Sequence, residues 1–534
     1  MAFALNSADT KQLSFSDSFN FLTTREQRFL ERSWAKPFAE IIFPAIDEKP
    51  FSVLYSDKDS RPNTPVNVII ASLITKELTG ENDDEIVESL MFDIRYQYAF
   101  HTTHFEEQPL SDRTLGRFRE RCYAYELETG IDLLHDTVIS LADAMSRLMK
   151  VDHQLKRMDS LMVASNIKKM GRLELLYTCV ANLSRQMKKN QTALPEQLLH
   201  YTEDNDRNKV IYHNRSEETD SRIDTVLRDA RTLLGLCDDT MDGSSEYLLL
   251  VRVLREQTTT DEDGNYHLKA AGTDMGGSIL QNPADPDATY RDKAGKQYRG
   301  YVSNIVEEAG EHGSLITDYQ YEQNIHSDSQ FAHEIIKKHD PQEGKVTIVA
   351  DGAFSGSEIE EAAAGKNIEL ITTNLTGKES PDIYADFEFN EDRTRVVSCA
   401  GGCEPKKCSF NKANGQCVAS FDRTQCEGCP LKAQCNPKMN KRTSRKTVSF
   451  NGKRRAEQQR FRSSEEFKKM SAFRNGVETI PSTLRRKYNV DHIPVRGKLR
   501  SKFFFGCKIA ALNVKKLCRY LHTVDECAQK AALA

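Results

Sequence analysis

The chain has 534 residues, 38% hydrophobic and 29% charged, enough to bury several cores and too apolar for a disordered tail. It has no run of 18 apolar residues, and its opening "MAFALNSADTK" lacks the basic-then-apolar layout of a secretory signal, so the expectation is a cytoplasmic protein with no membrane partner. Net charge is only −5, yet residues 437–519 hold 24 Lys/Arg against 5 Asp/Glu, interleaved with Phe461, Phe467, Phe473 and Tyr488. A packed region with that excess points to a phosphate backbone as partner rather than to an ordinary solvated face.

Residues 1–150 read as a helical domain. "NTPVNVIIASLITKEL" offers Asn63 or Thr64 as N-cap with Pro65 in the first turn, and its apolar residues recur at helical spacing. "NDDEIVESLMFDIRYQYAF" is acidic at its start, as the helix dipole favours. "LSDRTLGRFRERCYAYE" should begin at Ser111 or Asp112 and carries Arg113, Arg117, Arg119 and Arg121. Short helices with a basic last member fit a helix-turn-helix-like DNA reader or an ordinary bundle equally well. Trp34 reads as a core anchor.

From residue 151 to about 390 the pattern changes. "LKRMDSLMVASNI" alternates as a strand, followed by a helical block over about 170–255. "YRGYVSNIVEEA", a turn at "GEHG" and "SLITDYQYE" read as a hairpin; then come a helix in "SQFAHEIIKKH", a strand "VTIVA", a helix "SGSEIEEAAA" and a strand "IELITT". That order is α/β in its core and α+β over the chain, the order of a ribonuclease-H-like fold with a helical insert after its first strand.

Asp159 falls within the first strand and Asp351 ends the strand "VTIVA". A carboxylate at a buried strand needs a partner, and Mg²⁺ with phosphate oxygens is one, although an Asp before Gly352 also caps an ordinary turn. A third acid, Glu478, stands four residues after Arg474 in "FRNGVETIPSTLRRKY", so a helix would put both on one face, with Pro481 breaking or restarting it. Between 391 and 440 lie seven cysteines, among them Cys426-x2-Cys429-x5-Cys435, the spacing of a tetrahedral thiolate site for structural Zn²⁺. Residues 441–534 form the basic C-terminal part, with Arg485, Arg486 and Lys487 beyond Glu478.

Asp159 in "RMDSLMVASNI", Asp351 in "VADGAFSG" and Glu478 in "FRNGVETIPSTLRRKY" together resemble the Asp, Asp, Glu triad of bacterial insertion-sequence transposases. With "DPDATYRDKAGKQYRGY" at 285–301 and the cysteine block ahead of the glutamate, the chain is most similar to the eleven-eighty-two group of the IS4-like assemblage. The resemblance implies a ribonuclease-H-like core and metal-dependent cleavage and joining of double-stranded DNA at element ends. It implies two Mg²⁺ or Mn²⁺ ions on Asp159, Asp351 and Glu478, with Arg474, Arg485, Arg486 and Lys487 at the DNA. A homodimer on DNA follows from the need to bring two ends together. The wider assemblage has Tyr where Ser471 stands and Lys where Arg485 stands. "CAGG" resembles the family's Cys-Pro-x-Gly, which selects Cys399 as fourth zinc ligand over Cys403, Cys408 or Cys417. A metal-dependent nuclease of the same fold, or a transposase-derived DNA-binding protein whose catalysis has lapsed, are the alternatives.

Overall fold

The computed structural model describes residues 1–6, 18–56, 61–102, 110–212, 218–238, 241–270, 275–310, 313–373 and 379–533. The chain folds into two compact units, one of Met1–His153, Asp159–Ser327 and Ile480–Ala534, the other of Gln154–Met158 and Asp328–Thr479. This division does not follow the segments 1–150, 151–390, 391–440 and 441–534 expected above. Residues 1–150 share a unit with the end of the chain, and 441–534 divides after Thr479.

In the first unit the helix Val66–Thr79 is buried on every side from Val66 to Lys76, as an all-round apolar helix must be. It packs against the 36-residue helix Lys498–Leu533, which also lies on the helix Leu133–Met149. Phe503, Phe504, Phe505, Ile509, Leu512 and Leu517 supply the long helix's share of that core. Its lysines are tied down as well: Lys508 meets Glu77 at 2.5 Å, and Lys502 meets Asp132 at 2.8 Å and also Glu126. Asn82 and Glu85 form a reciprocal capping box at the helix Asp83–Phe92. The cap of Val66–Thr79 is different from the one expected: Pro65 occupies the N-cap position, and the Glu48 carboxylate accepts the N–H groups of Val66 at 2.7 Å and Asn67 at 3.2 Å. Trp34 packs edge-on against Tyr96 and Phe38, a core anchor as expected.

Strand β1 (Leu155–Ala164) begins in the second unit and ends in the first. After it come the helices Arg172–Lys189, Glu196–Leu199, Asp206–Ile211, Thr219–Gly235 and Ser245–Gln257, which close around their own apolar core at the expected insert. A short ribbon of β2 (Thr258–Thr260) and β3 (Tyr266–Leu268) follows. Then β4 (Thr289–Lys293), β5 (Lys296–Gly310) and β6 (Gly313–Gln323) pair antiparallel. The segment 285–301 therefore contributes a strand, β4, ahead of the expected hairpin. Glu311 and His312 of the expected turn lie outside the described residues. β5 also lies beside β1, so closely that at Gly300 (φ +141°) a Cβ would stand 2.4 Å from the Ser165 backbone nitrogen. At the outer edge of β6, the buried Asn513 side chain satisfies both the N–H and the carbonyl of Ile316, at 3.0 and 2.7 Å.

In the second unit the first residues of β1 pair in parallel with β7 (Val346–Ala350), and β7 pairs in parallel with β8 (Ile368–Thr372). The helices Asp328–Lys338 and Ser357–Gly365 alternate with these strands in the expected order. Beyond them β9 (Glu388–Phe389) pairs with β10 (Val396–Ser398). β11 (Lys407–Asn411), β12 (Gln416–Asp422), β13 (Lys438–Met439) and β14 (Thr443–Ser449) form an antiparallel sheet in the order β11-β12-β14-β13. The helices Phe450–Arg462 and Glu465–Asn475 complete the unit. Among the described residues no helix is long and apolar enough to cross a membrane.

Candidate active site

Asp351 follows the last residue of β7, where the strand's buried side chains give way to a turn. Its Oδ1 accepts the Gly352 N–H at 2.7 Å and caps the one-turn 3-10 helix Gly352–Phe354, which fixes the half-buried carboxylate at the strand end. Asp159, also half-buried, lies within β1 and accepts the Ser160 N–H at 2.9 Å. The parallel pairing of β1 with β7 runs through Leu155 with Thr347, Lys156 with Ile348 and Arg157 with Val349. Each strand reaches its aspartate two residues beyond that last pair.

Glu478 ends a single 3-10 turn, Gly476–Glu478, set between the helices Glu465–Asn475 and Thr479–Tyr488. Pro481 falls in the first turn of the second helix, where its missing N–H costs nothing. The Glu478 side chain is 57% exposed and forms an ion pair with Arg474, as the four-residue spacing predicts. The helix carrying Arg474 is seated by Phe467, Met470 and Phe473 against Val349 of β7 and Ile371 of β8. Arg157 completes the seat: it donates to the Phe473 carbonyl at 2.6 Å and lies 5.0 Å above the Phe473 ring. At Gly476 a Cβ would stand 2.0 Å from the Arg157 Nη1, so a larger residue there would have to push the Arg157 guanidinium from its seat. Neither Arg157 nor Gly476 was singled out from the sequence. The available signal was a cation inside an apolar strand, which demands a partner.

The four cations expected at DNA divide in two. Arg474 holds Glu478, and Arg485 donates to Asp491 at 3.2 Å and to the Met162 carbonyl of β1 at 3.0 Å. Arg486 and Lys487 are exposed, with no side-chain partner among the described residues.

Cys399, Cys426, Cys429 and Cys435 line one small pocket, walled by Ile383, Phe421 and Leu431. A tight turn returns the Cys399 N–H to the Cys403 carbonyl at 3.0 Å. Burial, and then the neighbouring thiols Cys399 and Cys429, push the Cys426 thiol up. Cys435 is also raised, by burial first, against the pull of Lys446. All of these cysteines are free thiols: Cys403 lies outside the pocket lining with its thiol toward the Gly401 carbonyl, while Cys408 and Cys417 sit on the paired strands β11 and β12, where the Cys417 thiol donates to the Thr394 carbonyl at 3.2 Å. Burial, then Cys408, pushes Cys417 up to about 11. The donors lining the pocket, all thiols, are of the type that suits Zn²⁺. Among the described residues, no three His, Cys, Asp or Glu side chains stand close enough to form a finished metal cage.

Residues 398–518 match the family model described as a transposase DDE domain, and residues 26–121 match one described as a transposase domain (DUF772). The two matches support an insertion-sequence transposase. No curated protein and no solved structure matches the chain. The first transposase match takes in the cysteine pocket, the Glu478 turn with the helices on either side of it, and over half of the long C-terminal helix. The second covers the helices from Thr24–Glu31 into Thr114–Thr129. Asp159 and Asp351 lie outside both.

Proposed function

We propose that the protein is a transposase of the IS4-like assemblage, nearest its eleven-eighty-two group, that cuts and joins DNA at the ends of an insertion sequence. The observation that carries this reading is the transposase DDE-domain match around Glu478, with two further acids, Asp159 within β1 and Asp351 just past the end of β7, at the positions where the resemblance expects them. The element order of β1, β5, β6, β7 and β8 with the helices between them supports a ribonuclease-H-like core.

In this reading Asp159, Asp351 and Glu478 are the catalytic acids and the ligands of two Mg²⁺ or Mn²⁺ ions. Those ions, when bound, supply Lewis-acid activation of the attacking oxygen and charge stabilisation at the leaving one. The cap on Gly352 keeps the Asp351 carboxylate from rotating away, and Arg474 steers Glu478. Arg486 and Lys487 neutralise backbone phosphates, while Arg474 and Arg485, engaged with protein partners, orient the segments that carry the acids. A water oxygen attacks phosphorus in line and the 3′-oxygen leaves as a hydroxyl. That hydroxyl then attacks a target phosphodiester in line, forming a new P–O bond as the bond to the target strand's own 3′-oxygen breaks and that oxygen leaves as a hydroxyl carrying the proton, with no covalent protein-DNA intermediate. Cys399, Cys426, Cys429 and Cys435 hold a structural Zn²⁺, which organises the small sheet. The protein works in the cytoplasm at the nucleoid, as a homodimer that pairs two ends, with the N-terminal helices reading the DNA.

The test is incubation of the purified protein with DNA carrying the element's flanking ends and a target duplex, with Mg²⁺ or Mn²⁺. Joined products are expected. Cleavage without joining would favour the nuclease reading, and binding without cleavage the lapsed one.

A further inference from the structure

The helix Thr114–Thr129 sorts its arginines. Arg119 turns inward to Asp83, at 2.6 and 2.7 Å, and is only 8% exposed. Arg117 and Arg121, four residues apart on another face, point with Arg61 into a cleft of about 390 Å³ in the first unit. Its described lining contains no acidic residue. Two like charges at that helical spacing repel, and a third arginine adds to the cost, so the cleft favours an anion. Arg61 and Arg117 are exposed and form no ion pair among the described residues, whereas Arg121 is held 4.9 Å above the Tyr55 ring. The floor is apolar, with Ile69 and Phe118 each 2% exposed. Guanidinium groups around an apolar floor match one nucleotide unit of a strand: the planar forks take the phosphate oxygens and the floor takes the sugar.

We propose that this cleft grips a backbone phosphate of the double-stranded DNA on which the protein acts, as an anchoring point separate from the three acids. The inference rests on the DNA-acting reading above and deepens it, assigning Arg61, Arg117 and Arg121 to the nucleic acid. Gripping a phosphate positions the duplex without reading its sequence, so its mark is salt dependence.

The test is fluorescence anisotropy of a labelled duplex bearing an element end against the full-length protein, over a series of salt concentrations. The double variant Arg61→Gln/Arg117→Gln is expected to bind about tenfold or more weakly and to flatten the slope of log K against log salt by about 0.9 for each phosphate it no longer neutralises. Arg121→Gln is expected to act in the same direction. Arg28→Gln, exposed on the helix Thr24–Glu31 away from the cleft, should change neither, and thermal melting checks that each variant is folded. A folded double variant with wild-type affinity and slope overturns the cleft assignment and leaves the transposase reading standing. A wild type that binds no duplex at any salt overturns both. Stabilisation by inorganic phosphate that the double variant loses, with DNA affinity unchanged, would make the cleft a small-anion site and also overturns the assignment. Loss of arginine-dependent binding in the variants of a protein that never cleaves upholds the cleft and removes only the strand-cutting chemistry.

Discussion

Asp83 shows how much a single carboxylate does in this molecule. Burial alone would raise its pKa, but the hydrogen bonds from Arg119 and Lys76 outweigh burial and hold it at about 2, below the ordinary 3.8. A carboxylate with a depressed folded-state pKa adds stability that is present above its unfolded value and lost as pH falls through its folded value. Wild type is therefore expected to lose stability between about pH 4 and pH 2, and Asp83→Asn to lack that component while being less stable at neutral pH. Urea melts at stepped pH check both. The same pair separates Arg119 from the other arginines of its basic helix: its partner lies 36 residues away, and no local pattern carries that distance. Gly300 was likewise silent in the sequence, because its necessity comes from the closeness of β1. Gly300→Ala should cost about 2 kcal/mol or more, read as a lowered melting temperature, since the obstructing atoms are backbone and cannot move aside.

At the scale of elements, what the sequence displayed was periodicity, local caps and order. The helix expected from the acidic start of its segment formed at Asp83–Phe92, and the capping box of Asn82 and Glu85 that closes it lies within four residues. The cap supplied by Glu48 to Val66–Thr79 comes from 18 residues back and had no local signature. The strand-ending position of Asp351 and the shared face of Arg474 and Glu478 were legible for the same reason, each being set within a few residues. What seats the Glu478 turn was not, because Arg157 reaches Phe473 across 316 positions. In the cysteine segment the spacing suggested a thiolate site, and Cys399 entered it only through the family resemblance; the fold brings no three of these side chains into a finished metal cage among the described residues. Cys399 lines one pocket with Cys426, Cys429 and Cys435, while Cys408 and Cys417 lie on the β11-β12 hairpin. Metal analysis of the purified protein is expected to find about one zinc per chain, and Cys429→Ser to reduce it sharply. Hydrogen exchange over β11 to β14 should then quicken, while the helix Val66–Thr79 stays protected.

At the scale of the whole molecule the charge distribution needs the most revision. The excess of cations in residues 437–519 reads from the sequence as one basic surface. In the fold many of them are neutralised: Arg460 by Asp382 and Asp386, Arg454 by Glu360, Lys498 by Glu322, Lys502 by Glu126 and Asp132, and Lys516 by Glu307. The acidic remainder of the chain is in part the internal counterpart of this basic stretch. Exposed positive charge remains at Arg486 and Lys487 beyond Glu478, at Lys441, Arg442, Arg445 and Lys469, and at Arg61 and Arg117 of the arginine cleft. The central claim, that the three acids form one catalytic set, is tested most directly by strand cleavage on end-bearing DNA with Mg²⁺ or Mn²⁺, comparing wild type with Asp159→Asn, Asp351→Asn and Glu478→Gln. The account predicts that each variant loses cleavage by about a thousandfold or more while still binding the duplex as tightly as wild type. Cleavage that survives in Asp351→Asn would contradict it and leave that aspartate as the cap of a turn.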